Sequence, residues 1–397
     1  MKQNLTQTTP AVVLACLILT ACAQDASHET SQAEVDKANF GKPENILFWN
    51  FEQKVAGFRN IDQFGEIRNV AAGNNPYPLP SAASDLQDTA FEYQGETWTV
   101  ERYIEHHKVA GLLVVKDGAV VFERYALGNT RDSRWISFSV AKSLTSLLVG
   151  AALQDGYIGS VDDKITDYLP RLRNSSYDQS SIRNVLQMSS GVAWNEDYAD
   201  PESDINQVPW STLQMVEYLR NKPRSFEPGE KFNYNTAETN LVGDFLRSAI
   251  GNNLSTYLSH KIWQPFGMER DAYWVLTDDG GGEFGGSSLN ATLRDFARIG
   301  LFVLNDGVLP DGTRVLPEGW MAESLTPSRG YDGYGYLWWL RGRGEFAASG
   351  IFGQAIHIDP THQIVIAQHS ARDAASDPED RALQLAMFRA LVDAASQ

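Results

Sequence analysis

With 397 residues the chain exceeds the roughly 250 to 300 residues at which one hydrophobic core stops growing, so it holds two average domains or one large domain with an insertion. A hydrophobic fraction of 43%, with 18 Phe, 15 Tyr and 10 Trp, excludes a disordered chain. The formal net charge of −17, with no basic run, repels phosphate backbones and argues against nucleic acid as a partner.

The first segment reads as an export signal. Lys2 supplies the positive charge, residues 11–20 form an apolar stretch shorter than the about 20 residues a bilayer span needs, and Leu19, Thr20, Ala21 and Cys22 close it. That ending resembles the lipobox of bacterial lipoproteins. The resemblance implies a signal peptide over residues 1–21, lipidation of the Cys22 thiol and acyl-chain attachment to a membrane of the bacterial cell envelope. An ordinary signal cleaved after small residues is the alternative. Cys16 and Cys22 are the only cysteines, so the sequence beyond them can build neither a disulfide nor a cysteine zinc site.

Residues 22–45 are expected to be the lipidated end and a flexible tether, because residues 23–39 are polar and lack an apolar period. From Ile46 the character changes. Residues 46–49 and 55–58 carry apolar groups that a linker would waste, so this lead-in should pack on the domain surface. A Pro-rich turn region at 74–80 separates it from the main body.

Apolar runs at 111–115 and 119–122 flank Lys116, Asp117 and Gly118 and predict a β-hairpin, since Asp-Gly supplies the positive φ of its turn. Residues 140–153 are apolar on nearly every side of a helical wheel and predict a buried helix. Helical and loop-like sequence with few strand signals follows to about residue 305. Strands are then expected at 335–340, 346–351, 354–358 and 364–368, with a turn over 341–344, and an amphipathic helix over 379–394. The pattern predicts an α+β domain over residues 46–397. Its antiparallel sheet is built from both chain ends and flanked by helices (residues 46–155 and 285–397), and residues 156–284 form a mostly helical inserted subdomain.

Ser139 and Lys142 form the only S-x-x-K in the chain, at the start of the predicted buried helix. Three residues along a helix put both side chains on one face, so the lysine amine can reach the serine hydroxyl. A serine is a weak nucleophile until a base takes its proton, and a lysine serves only if burial or a second cation lowers its pKa. Phe138, Val140 and Leu144 make such burial credible. Further on, Asn235 and Glu238 read as a capping box and Gly251 as the other end of that helix, which fixes Tyr234 on the loop before it. A tyrosine held near a lysine can shuttle a proton. Ser349 and Gly350 lie on a late strand, where a glycine permits close backbone approach.

This order of hairpin, S-x-x-K, tyrosine loop and late S-G strand resembles the class C β-lactamase and DD-peptidase superfamily of serine hydrolases. Residues 135–143, 188–192, 196–200 and 350–354 are most similar to its nylon-oligomer branch, the aminohexanoate-dimer hydrolases and related esterases. The resemblance implies a β-lactamase/transpeptidase-like fold, Ser139 as the acyl-accepting nucleophile, and Lys142 with Tyr234 as the proton-transfer pair. It also implies the backbone N–H groups of Ser139 and Ile351 as an oxyanion hole, and Tyr198, Ser349 and Gly350 as substrate contacts. It calls for neither cofactor nor metal, and for a small ester or amide as substrate. Two positions depart from the pattern: Thr236 stands where relatives have Y-x-N, and Ala348 where many have Lys or His. Loss of that cation removes the attraction for a carboxylate and favours a neutral ester or amide over a β-lactam or peptide terminus.

Rival chemistry finds less support. There is no G-x-S-x-G elbow and no H-E-x-x-H, and His106 and His107 read as an exposed, solvated pair. Trp338, Trp339, Tyr331, Tyr334 and Tyr336 either line a cleft or pack as core. A non-catalytic penicillin-binding or sensor domain would share the fold and stands as the alternative of a different class, beside β-lactamase or DD-peptidase action.

Overall fold

A computed structural model describes residues 31–277 and 281–397; the export segment and Cys22 lie outside the described residues. The hairpin forms from the strands Val109–Lys116 and Ala119–Tyr125, with Asp117 and Gly118 at φ +50° and +79° as its turn demands. Four C-terminal strands complete a six-stranded antiparallel sheet in the order 119–125, 109–116, 364–370, 355–359, 345–349, 339–342. The sheet therefore does draw on both chain ends.

Period-two alternation divides this sheet between two helical layers. Leu112, Val114, Ile364 and Ile366 face the terminal helix Pro378–Ala395 through Leu383, Met387, Phe388 and Leu391. Leu113, Val115, Val365 and Ala367 face the opposite way, into the main core with the helices Leu293–Leu304 and Val140–Gln154. Gly300 lets the first of these press onto the sheet, since a Cβ there would lie 2.4 Å from Val365.

A second antiparallel sheet, ordered 67–70, 272–275, 289–292, 134–136, stands beside the first. Its strand Ala272–Val275 falls within the stretch expected to be helical. The strand is four residues long and mostly buried, so it lacks the alternation by which half-buried strands are read. The strand expected at 335–340 instead runs Trp339–Gly342, because residues 335–338 turn against the helix Trp320–Ser324 with Leu337 at φ +60°. The expected tether is partly helical. Ser31 and Glu34 cap the helix Gln32–Ala38, and its buried Asp36 pairs with Arg59 at 2.8 Å.

The lead-in goes deeper than surface packing. In the helix Phe51–Phe58, Phe58 is fully buried with its ring centroid 5.8 Å from Trp135, 5.1 Å from Phe138 and 5.4 Å from Phe352. Gly57 admits the Trp49 ring, which would sit 2.1 Å from a Cβ. Phe58→Ala should therefore cost about 3 to 5 kcal/mol in a urea titration of unfolding; a loss below about 1 kcal/mol would show that the lead-in is not core.

Candidate active site

Ser139 sits where an edge strand becomes a helix. The strand Arg134–Ile136 ends with the Ser137 N–H on the Leu289 carbonyl at 2.8 Å, Phe138 turns the chain at φ +43°, and the helix Val140–Gln154 begins. A non-glycine residue at positive φ costs energy that the surrounding packing must hold, and such residues gather at functional sites. Ser139 itself is helical in φ and ψ and caps no N–H, so its hydroxyl is left for the cleft.

Lys142 is buried one turn on. Its Nζ donates to Ser139 Oγ at 2.9 Å and to the Gly286 carbonyl at 2.8 Å. Gly285 and Gly286 place that carbonyl: a Cβ on either would lie 2.8 Å or less from the Thr239 or Thr236 carbonyl, so only glycine lets the loop thread between the two helices. Thr145 Oγ1 donates to the Gly285 carbonyl at 2.7 Å and holds the loop from the other side. Burial pushes the Lys142 amine down to about 7, and the nearby Glu196 carboxylate pulls it partly back up.

Tyr234 lies on the loop before the helix Thr236–Ile250, its ring stacked on Trp339 at 5.6 Å and 5.2 Å from Lys142 Nζ. Ser139 lies close enough to act on its hydroxyl. Burial and the Glu196 charge push its pKa above the usual tyrosine value, and the Ser139 contact works against them. The capping box is only half made. Asn235 Oδ1 accepts the Glu238 N–H at 3.0 Å, but the Glu238 carboxylate turns inward to Tyr177 at 3.0 Å and to Ser190.

The backbone N–H groups of Ser139 and Ile351 have no hydrogen-bond partner among the described residues, and both residues line one cavity. The loop that carries Ile351 is tight: the Gly350 N–H reaches the Gln354 carbonyl at 2.7 Å, and Gln354 Oε1 accepts the Phe352 N–H at 3.2 Å. A Cβ on Gly350 would lie 2.8 Å from the Ser137 carbonyl and 2.5 Å from Gln354 Oε1, so glycine brings this loop against the turn that holds Ser139.

The cavity, of about 490 Å³, opens from Ser139 between Ile136 and Phe138, the lead-in residues Trp49 and Phe64, and Trp210. Tyr198 lines it and donates to Glu196 at 2.6 Å. Ser349 lies outside that wall and instead accepts from Arg341 at 2.8 Å. Glu196 is the residue the sequence reading passed over. It accepts the Thr236 N–H at 3.0 Å as well as the Thr236 hydroxyl and the Trp194 indole, so Thr236 has a defined partner. Its only signal was its place two residues before Tyr198. His107, expected to be exposed, is buried against Tyr103, and only His106 faces solvent. The aromatic group divides: Trp338, Tyr334 and Tyr336 are core, Tyr331 is exposed, and Trp339 is half-buried beside Tyr234.

Residues 99–387 match the Beta-lactamase family. The chain belongs to that family. It is 30% identical over 307 residues to a 6-aminohexanoate-dimer hydrolase of Paenarthrobacter ureafaciens, covering 71% of this chain and 76% of that one. A Bacillus anthracis structure assigned as a 6-aminohexanoate-dimer hydrolase superposes with a TM-score of 0.77 at 24% identity, over 86% of this chain and 94% of the other. EstCE1, a hydrolase with promiscuous acyltransferase activity, shares the fold at a TM-score of 0.57 and 15% identity, over 75% and 96% of the two chains. The protein is a serine hydrolase of the β-lactamase family with a β-lactamase/transpeptidase-like α+β fold.

A lysine that sheds its proton near pH 7 gives the site a pH signature. Below that value the amine is charged and cannot accept the Ser139 proton, so labelling by a fluorophosphonate should slow about tenfold per pH unit and level off above about pH 7. Glu196→Gln keeps an acceptor for Thr236 and Tyr198 but removes the charge that raises the Lys142 pKa. It should move the midpoint to lower pH, and an unmoved midpoint would disconnect Glu196 from Lys142.

Proposed function

We propose that the protein hydrolyses a carboxylic ester or amide through an acyl-enzyme on Ser139. The observation that carries this is the 2.9 Å contact between Ser139 Oγ and a buried Lys142 amine whose pKa is lowered to about 7. Near neutrality a large share of that amine is uncharged, and its lone pair takes the proton as Ser139 Oγ attacks the substrate carbonyl. The developing oxyanion is met by the N–H groups of Ser139 and Ile351, which have no competing partner among the described residues.

Tyr234 keeps its proton at rest, because burial and Glu196 both oppose the phenolate. That favours Lys142 as the base, with Tyr234 donating to the leaving oxygen or nitrogen and being reprotonated from Lys142. Water then attacks the acyl-enzyme by the same steps in reverse. The apolar cavity beside Ser139, with Trp210 and Phe48 exposed at its walls, suits an apolar portion of the substrate in contact with Tyr198. The amide hydrolase among the relatives supports amides beside esters as substrates.

We further propose export and attachment to the bacterial envelope through a lipid on Cys22; Cys22→Ser should move the protein from the membrane to the soluble fraction.

Short-chain 4-nitrophenyl esters and linear amides should be turned over, with Ser139→Ala lowering kcat/KM at least about 10³-fold and Tyr234→Phe about 10²- to 10⁴-fold. Equal inertness of wild type and Ser139→Ala toward esters, amides and β-lactams would instead favour a binding domain.

A further inference from the structure

We infer that Lys54, on the lead-in helix Phe51–Phe58, is a positioning residue for the oxyanion hole: it clamps the chain segment that orients the Ile351 N–H. This rests on the acyl-enzyme reading above and adds to it a residue far in sequence from every reacting group. Lys54 is only 2% exposed. Its Nζ donates to the Arg372 carbonyl at 2.9 Å and to the Asp373 carbonyl at 2.5 Å, and it lies 4.5 Å from the Phe352 ring centroid. Neither carbonyl has another donor among the described residues.

A lysine is an expensive way to fill this place. Burial pulls its pKa below the usual lysine value, and the Asp373 charge offsets that only in part. An apolar side chain would avoid the cost of desolvating an ammonium. What the ammonium alone supplies is two hydrogen bonds to buried carbonyls and a cation for an aromatic face.

The clamped segment passes the hold on to the site. Its Arg372 N–H reaches the Phe352 carbonyl at 3.2 Å, and its Ser376 N–H reaches the Ile351 carbonyl at 2.9 Å. Residues 371–377 are neither helix nor strand, so no ladder of their own fixes them, and Ser376 stands at φ +59°, a state that the surroundings must maintain. On its other side the Phe352 ring packs edge-on against Phe138 at 5.2 Å, and Phe138 is the residue before Ser139. Lys54 therefore bears on both N–H groups of the hole, through the Ile351 carbonyl and through the Phe352 and Phe138 rings. It does not line the cavity, so it acts through the loop and not on the substrate.

The test compares 4-nitrophenyl butyrate with its thiono analogue, in which sulfur replaces the carbonyl oxygen. Sulfur is larger and accepts hydrogen bonds weakly, so a closely set pair of N–H donors favours the oxygen ester. Rates are taken per serine labelled by a fluorophosphonate, which leaves misfolded protein out of the count. Lys54→Met should lower kcat on the oxygen ester about 10- to 100-fold, as a displacement of about 1 Å does, with KM within about threefold. The preference for oxygen over sulfur should shrink at least about threefold, and Lys54→Arg, which keeps the donors, should retain most of both. Lys54→Gln is read in the same way if Lys54→Met does not fold. An undiminished kcat, or a lower kcat with the oxygen preference unchanged, overturns the role. A second arm needs no turnover: amide hydrogen exchange over residues 350–354 and 371–377 should quicken at least about tenfold in Lys54→Met, with the helix Val140–Gln154 unchanged. If the wild type is inert on both esters and this exchange still quickens, Lys54 does hold the loop and the acyl-enzyme reading fails; unchanged exchange removes the clamp whatever the catalysis.

Discussion

An uncharged amine inside a dry cleft is the condition on which this molecule's chemistry turns. Water would keep Lys142 protonated and useless as a base; packing beneath Tyr234 and between two helices removes that water. Full burial would leave the amine unsatisfied, which is itself costly, so the Gly286 carbonyl and the Ser139 hydroxyl accept its hydrogens. Glu196 trims the effect. Without a carboxylate in reach the amine would lose its proton too readily to hand one on to a leaving group.

Backbone placement does as much as side chains. The Gly285-Gly286 loop and Gly350 work by the same logic, since each lets a main-chain segment approach another more closely than any Cβ allows. The first pair sets an acceptor under the lysine, and the second brings the Ile351 loop up to the serine turn. The two sheets meet here. Ser139 leaves the edge of the smaller one, and Ser349 closes a strand of the larger.

Much of this was legible in the residues. S-x-x-K at the head of an all-round apolar helix points to a buried lysine because spacing and burial are both written locally. The hairpin at Asp117 and Gly118 is equally local. What stayed hidden depends on contacts distant in sequence. The strand Ala272–Val275 takes its form from its partners at 67–70 and 289–292, and its own four residues carry too short a pattern to reveal it. Glu238 is drawn from its cap position by Tyr177, sixty-one residues away. Arg341 falls in a stretch whose glycines predict a turn, and only strand pairing shows that it reaches Ser349. Glu196 and Gly286 likewise gain meaning only once the helix that starts at Thr236 is docked beside Lys142.

The lead-in walls the cavity from a distance in sequence. Trp49 and Phe64 precede residue 99, where the match to the Beta-lactamase family model begins, and yet they shape the space next to the serine. The wall of the cavity is thus partly built by the lead-in, and Ser139, Lys142 and Tyr234 stand within the matched stretch. A change of side chain at Trp49 or Phe64 would reshape the space beside the serine from a position remote in sequence from every reacting group.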